Sequence, residues 1–303
     1  MKKLERSWRI LKRSWTVLKE NKRLLLFPIV NLILILAIFA FFLIPFAAFF
    51  LMPSLIFISG GELDKLLSGE DLAATVCVNL MLIVGYFVSM FLATFFNVAF
   101  YNEILKALNG NPVSITAGLR FAMTRWKAVL FWSLLAGVVG YLIKLLEEKL
   151  GFIGSWIMSF IGLAWSVACV FIAPVIIRDQ EENNPLRCLK KSAGIIKRTW
   201  GEGLIGYIGV AAIGTLLYIA PFVVLIPFLI AVCLINVDIL FSQAILMSLL
   251  FGFATWFVAC MAFIWVCGVL EKIYIAALYI YGTEGVIPEA FDKETLDMAW
   301  KRR

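Results

Sequence analysis

Six uncharged apolar runs, at 24–58, 72–101, 128–143, 152–177, 204–237 and 239–270, occupy most of the chain and constrain everything else about it. About 20 apolar residues in a helix cross the ~30 Å hydrocarbon core of a bilayer. Every run but the third reaches that length alone, and the third borrows residues from its flanks. With 63% of its 303 residues hydrophobic and 16% charged, a soluble globule would have nowhere to hide this surface. The composition therefore excludes a soluble enzyme and a nucleic-acid-binding protein. The expected fold is all-α, a polytopic transmembrane helix bundle of six spans with basic amphipathic helices at the interface.

The segments between the runs set the expected orientation, because Lys and Arg accumulate on the cytoplasmic side. Residues 1–23 carry nine basic and two acidic groups, residues 59–71 one and four, and residues 102–127 four and one. Residues 144–151 carry two of each, and residues 178–203 six and four. Asp238 stands in a turn with no basic group. The alternation predicts a multi-pass protein of the plasma (inner) membrane with a cytoplasmic N-terminus and, from six spans, a cytoplasmic C-terminus. Residues 271–303, with five basic and six acidic groups, favour neither side. The 23-residue basic prelude and the length of the first run distinguish it from a cleavable signal. Pro45 and Pro53 in the first run, and Pro221 and Pro227 in the fifth, leave two readings open: kinked single helices or re-entrant segments.

An internal repeat underlies the pattern. Asn111-Pro112 and Asn184-Pro185 each offer an N-cap residue followed by proline at the first helical position. Each opens a basic amphipathic segment: Leu119, Arg120, Arg125, Trp126 and Lys127 in one, Leu186, Lys190, Lys191, Lys197, Arg198 and Trp200 in the other. The Trp lies 15 and 16 residues after the Asn, and a span follows both times. Arg13-Ser14-Trp15 resembles Arg198-Thr199-Trp200, and Leu4, Trp8, Leu11, Trp15 and Leu18 form an apolar stripe opposite Lys3, Arg6, Arg9, Lys12, Arg13 and Lys19. The chain thus reads as one integral membrane domain of three helix-plus-hairpin units, 1–109, 110–183 and 184–303. Such helices either lie in the membrane surface, with Arg13, Trp15, Arg125, Trp126, Lys190, Lys191, Lys197, Arg198 and Trp200 against anionic headgroups, or pack on the ends of the spans.

The stretch Lys190-Lys191-Ser192 through Lys197-Arg198-Thr199-Trp200-Gly201, together with Ala173-Pro174-Val175 and Ala276-Ala277-Leu278-Tyr279-Ile280-Tyr281, resembles a family of prokaryotic six-span membrane proteins catalogued only as a domain of unknown function. A fainter likeness exists to the membrane domain attached to bacterial glycerophosphodiester phosphodiesterases. No soluble catalytic domain is expected to go with it, so that activity is not carried over. The resemblance implies a membrane protein and lends no catalytic residue.

Little conventional chemistry remains. The absence of His removes imidazole acid–base catalysis and most zinc and haem sites, no CxxC pair or phosphate-cradling glycine motif occurs, and no cofactor is expected. Cys77, Cys169, Cys233, Cys260 and Cys267 lie in apolar runs as small hydrophobes, while Cys188, in a polar stretch, leaves lipidation open. Glu103, Glu271 and Lys272 sit at the ends of even-numbered spans. There they serve either as a proton or cation relay facing a wet cavity or as ion-pair partners of residues such as Arg125 and Lys197. Glu147-Glu148 belongs to a solvated turn. Asn31, Asn79 and Asn97 suit amide bonds between helices, and Gly137, Gly140, Gly206, Gly209 and Gly214 permit close helix approach. The leading expectation is a non-enzymatic membrane protein that binds or organises lipid, or serves as accessory to a membrane-protein partner. A transporter or channel for a small or lipid-like solute is the alternative, and an intramembrane enzyme the weakest reading.

Overall fold

The computed structural model describes residues 12–55, 72–199 and 243–284, with the isolated positions 219, 223 and 226. All regular structure among the described residues is helical. In chain order the helices are α1 at 12–20, α2 (Leu26–Leu55), α3 (Leu72–Leu108), α4 (Ile115–Thr124), α5 (Trp126–Lys149), α6 (Gly151–Ala168), α7 (Ile172–Arg178), α8 (Pro185–Thr199) and α9 (Gln243–Glu284). A short 3-10 turn, Lys22–Leu25, leads into α2. Five stretches among the described residues are long and apolar enough to cross a bilayer: Lys22–Phe41, Asn79–Leu108, Trp126–Lys149, Gly154–Arg178 and Ala254–Glu284. They coincide with five of the six expected runs. The remaining run, 204–237, apart from those isolated positions, and Asp238 lie outside the described residues.

The chain forms two compact units, Asn21–Ile196 and a second made of Met1–Glu20 with Lys197–Arg303. In the first, α3 is the central post and packs against α2, α4, α5 and α7, while α5 pairs with α6. The helical backbone of α2 is continuous from Leu26 to Leu55 through Pro45 and Pro53, so the described part of the first run carries no break at either proline. By contrast, the fourth run is broken. Its helix stops at Ala168, turns through 169–171 and restarts as α7. Pro174 contributes, because it lacks the N–H that would bond the carbonyl of Val170.

Burial in this unit is concentrated at one end. Along the spans large apolar side chains face outward, among them Ile33, Phe39, Leu82, Trp156 and Phe160, as a lipid-facing surface requires. Where α3 ends, the pattern inverts: Val98, Ala99, Tyr101, Ile104 and Leu108 are buried, as are Val129 and every residue from Ile172 to Ile177. Phe27 of α2 stacks on Phe100 of α3 with centroids 5.0 Å apart. At 37 residues α3 extends about 55 Å at ~1.5 Å per residue, longer than the hydrocarbon core.

Two helix contacts rest on glycine. At Gly118 of α4 an added Cβ would lie 2.8 Å from the Ala99 carbonyl oxygen and 2.9 Å from Glu103 Cγ, so α4 meets α3 almost backbone to backbone. At Gly137 of α5 it would lie 3.0 Å from Phe87 of α3, and Tyr86 donates a hydrogen bond across the same contact to the Gly137 carbonyl at 3.0 Å. α5 and α6 are joined by Leu150 alone, and Gly151 adopts φ +65°, a left-handed conformation that glycine takes without steric cost. They make a tight hairpin whose far tip carries Lys144, Glu147, Glu148 and Lys149.

In the second unit, α1 buries Ser14, Val17 and Leu18 and leaves Lys12, Arg13, Trp15 and Lys19 exposed. α9, 42 residues long, extends about 63 Å. Its Ala254–Glu284 part forms the span, and burial rises towards its C-terminal end, where Val269, Leu270, Ile273 and Ala276 through Ile280 are buried.

Candidate functional site

Ionisable and polar groups gather at the dense end of the Asn21–Ile196 unit, in two arrangements that each repair backbone. The first centres on Glu103, whose side chain is fully buried. One carboxylate oxygen accepts from Asn102 Nδ2 at 3.0 Å and from Lys106 Nζ at 2.6 Å, and the other accepts from the Ser114 backbone N–H at 2.8 Å. A buried carboxylate persists where charge-assisted donors satisfy it. Its partner is therefore a lysine of its own helix, one turn on, and neither Arg125 nor Lys197. By fixing the Ser114 N–H it also sets the start of α4. The helix begins at Ile115 with Ser114 at the N-cap, three residues beyond the start expected from Asn111-Pro112, which stays in the loop.

The second arrangement centres on Arg125. The sequence places it among lipid-facing residues, but it is 7% exposed and turned inward. Its Nε donates to the Ile176 carbonyl at 3.1 Å, Nη2 to those of Asp179 and Glu182 at 2.9 Å each, and Nη1 to that of Gln180. These carbonyls lie at and just beyond the C-terminus of α7, where a helix leaves acceptors unpaired and its dipole favours a cation. Burial lowers the pKa of the guanidinium from its ordinary value, and a guanidinium still keeps its charge.

α8 lies beside this clamp. Asn184 caps it as the sequence predicts, accepting from the N–H of Leu186 at 3.0 Å and of Arg187 at 3.4 Å, with Pro185 at the first helical position. Glu182 accepts from the Asn184 N–H at 2.9 Å and pairs with Arg187 Nη1 at 3.3 Å. Those bonds, the first above all, hold its carboxyl below the usual carboxylate range. One face of α8 is buried through Cys188 and Ser192. The Ser192 hydroxyl donates to the Ala168 carbonyl at 2.6 Å and accepts from the Phe171 N–H at 3.2 Å, spanning the break in the fourth run. The other face shows Arg187, Lys190 and Lys191 to the exterior, Lys191 paired with Asp179. Cys188, 2% exposed, is packed as a small hydrophobe, which leaves no exposed thiol for lipidation in this arrangement.

The other expected residues fall as follows. Trp126 is 45% exposed at the start of α5 with Lys127 Nζ 5.9 Å from its ring centroid; in the second unit Trp15 is 42% exposed with Lys19 Nζ 5.8 Å away. Arg13 and Lys197 are exposed, and Glu271 and Lys272 are half-buried in α9. The side chain of Arg198, and Trp200 altogether, lie outside the described residues. Sequence reasoning missed Ser192 and Gly118. The signal for Ser192 was its place four residues after Cys188, on the face opposite the basic one. No group of three or more potential metal-binding side chains occurs among the described residues.

No curated protein and no solved structure matches the chain significantly, and the fainter likeness to glycerophosphodiester phosphodiesterase membrane domains finds no counterpart among the matches. One family matches, over residues 72–288, and it takes in the helices that build both arrangements. On that match, which covers more than two thirds of its length, the chain belongs to the Family of unknown function (DUF6159).

Proposed function

We propose that this multi-pass membrane protein is non-enzymatic and binds anionic lipid headgroups at the dense end of its bundle, on the cytoplasmic side of the plasma membrane, organising lipid there or serving a membrane-protein partner. The observation that carries the reading is the two-sided construction of α8. Its polar interior face is spent on backbone repair, while Arg187, Lys190 and Lys191 remain outward. A Lys or Arg near an anionic surface contributes about 1 kcal/mol. The Trp126–Lys127 pair adds an amphipathic ring and a cation suited to headgroup depth.

The test is binding of detergent-solubilised protein to immobilised phosphatidylglycerol and phosphatidylcholine. Changing Lys190, Lys191, Lys197 and Arg198 together to Gln weakens phosphatidylglycerol binding by at least an order of magnitude on this reading, at roughly fivefold per charge. Unchanged binding sinks it. Transport is the second reading, favoured by the helix break at 169–171, since broken spans line many transport sites. Its relay version needs Glu103 open to a wet path, whereas this carboxylate is fully buried with three donors on it. Flux in proteoliposomes that Glu103→Gln and Glu271→Gln abolish would place transport first.

A further inference from the structure

The break in the fourth span and the basic face of α8 belong to one mechanical element. Ala168 ends α6 with a carbonyl that the helix no longer uses, and the turn that follows carries the Phe171 N–H; both meet the hydroxyl of Ser192. Ser192 is fully buried, and Cys188, one helical turn earlier, is 2% exposed. α8 therefore cannot lift from the unit without uncovering both side chains and stripping partners from a span's backbone. Its N-terminal end cannot move freely either. The residues before it are held by Arg125 through the carbonyls of Asp179, Gln180 and Glu182, and Asn184 caps the first turn. What remains adjustable is how firmly the middle of the helix sits on the break. The groups that decide this from outside are Arg187, Lys190 and Lys191, with Asp179 and Glu182 facing two of them.

We propose that α8 is a clasp read by the membrane: anionic phospholipid headgroups engaging Arg187, Lys190 and Lys191 press it onto the span break, so that surface charge sets how tightly residues 168–171 are held. The partner is the headgroup phosphate of an anionic lipid, chosen by charge complementarity with a basic face beside lipid-exposed spans. The inference rests on the headgroup reading above and adds a consequence to it. Headgroup binding at the outer face of α8 and hydrogen bonding at its inner face are thermodynamically linked, so each strengthens the other by the same factor.

Cys188 reports the state of the clasp, since it lies under α8 and burial pushes its thiol pKa up, making modification depend on lifting. The full chain is placed in nanodiscs of phosphatidylcholine alone or of phosphatidylcholine mixed equally with phosphatidylglycerol. N-ethylmaleimide modification of Cys188 is followed by peptide mass spectrometry. The expected result is a rate on the order of tenfold slower in the anionic discs, from two or three charges at roughly fivefold each as an upper bound. In the anionic discs the triple change of Arg187, Lys190 and Lys191 to Gln labels on the order of tenfold faster than the native chain in the same discs. That comparison at one lipid composition separates the clasp from any effect of surface pH on the thiol. Ser192→Ala, which removes both bonds, raises labelling about tenfold in either disc. Native mass spectrometry of retained phosphatidylglycerol gives the second readout. If the triple variant retains as much phosphatidylglycerol as the native chain, the headgroup reading fails. If retention falls while Cys188 labels equally fast in both discs, the clasp alone is overturned.

Discussion

Arg125 shows how far a single side chain departs from what its neighbours suggest. In sequence it sits beside Trp126 and Lys127, in a segment with four basic residues against one acidic, and reads as one more surface cation. In the structure it is a buried fork on four carbonyls. Arg125→Ala takes the guanidinium away from those carbonyls, of which that of Asp179 keeps the Glu182 N–H at 3.3 Å, and is expected to cost about 3 kcal/mol. Arg125→Lys recovers only part of that, because an ammonium offers three donors from one point instead of a planar fork. Thermal unfolding in detergent, ranked native, then Lys, then Ala, checks both. Glu182 gives a pH signature. Its carboxyl is held below the ordinary value by the Asn184 N–H first and Arg187 after it, so its contribution is present above the unfolded pKa of about 4.3 and is lost as pH falls through the lower folded value. The melting difference between the native chain and Glu182→Gln is therefore full at neutral pH and shrinks as pH falls below about 4.3. A difference that is constant across that range contradicts the assignment.

At the scale of elements the packing of α4 on α3 hangs on Gly118. A Cβ there meets a backbone oxygen at 2.8 Å and the Glu103 stem at 2.9 Å; the oxygen has nowhere to go, so Gly118→Ala costs about 2 kcal/mol of overpacking. It also loosens the Ser114–Glu103 bond. Hydrogen exchange at the Ser114 amide, faster in the variant, is the measurement. What was legible in sequence follows whether a feature is local. The start of α8 was readable because Asn184 and Pro185 satisfy it by themselves. The start of α4 was not, because Ser114 is chosen by Glu103, eleven residues away on another helix. Spans were readable from the absence of charge, which needs no partner. The break at 169–171 was hidden inside an uncharged run, and the side chain that tolerates it, Ser192, comes more than twenty residues later. The inward turn of Arg125 was invisible for the same reason, its acceptors lying over fifty residues on.

For the whole molecule, the hairpin of α5 and α6 makes a clear topological statement within the Asn21–Ile196 unit. Positions 110 and 181 flank the dense end, while position 150 is at the far tip. In a cysteine-free background, single cysteines at 110 and 181 should react with a membrane-impermeant maleimide from one side of sealed vesicles and one at 150 from the other. Labelling of 150 from the same side as 110 overturns this arrangement. On the orientation proposed from the charge alternation, 110 and 181 are the positions labelled from the cytoplasmic side. A further consequence concerns biosynthesis. Only Leu150 separates α5 from α6, so the translocation machinery has no loop to leave behind between one span and the next. Two helices tied this closely are expected to enter the bilayer together. On the proposed orientation the tip that crosses carries Lys144, Glu147, Glu148 and Lys149, whose formal charges sum to nothing. A tip with no net charge is expected to cross without net work against or from the membrane potential. Replacing either acid with a base would burden the nascent chain long before the finished fold felt any difference.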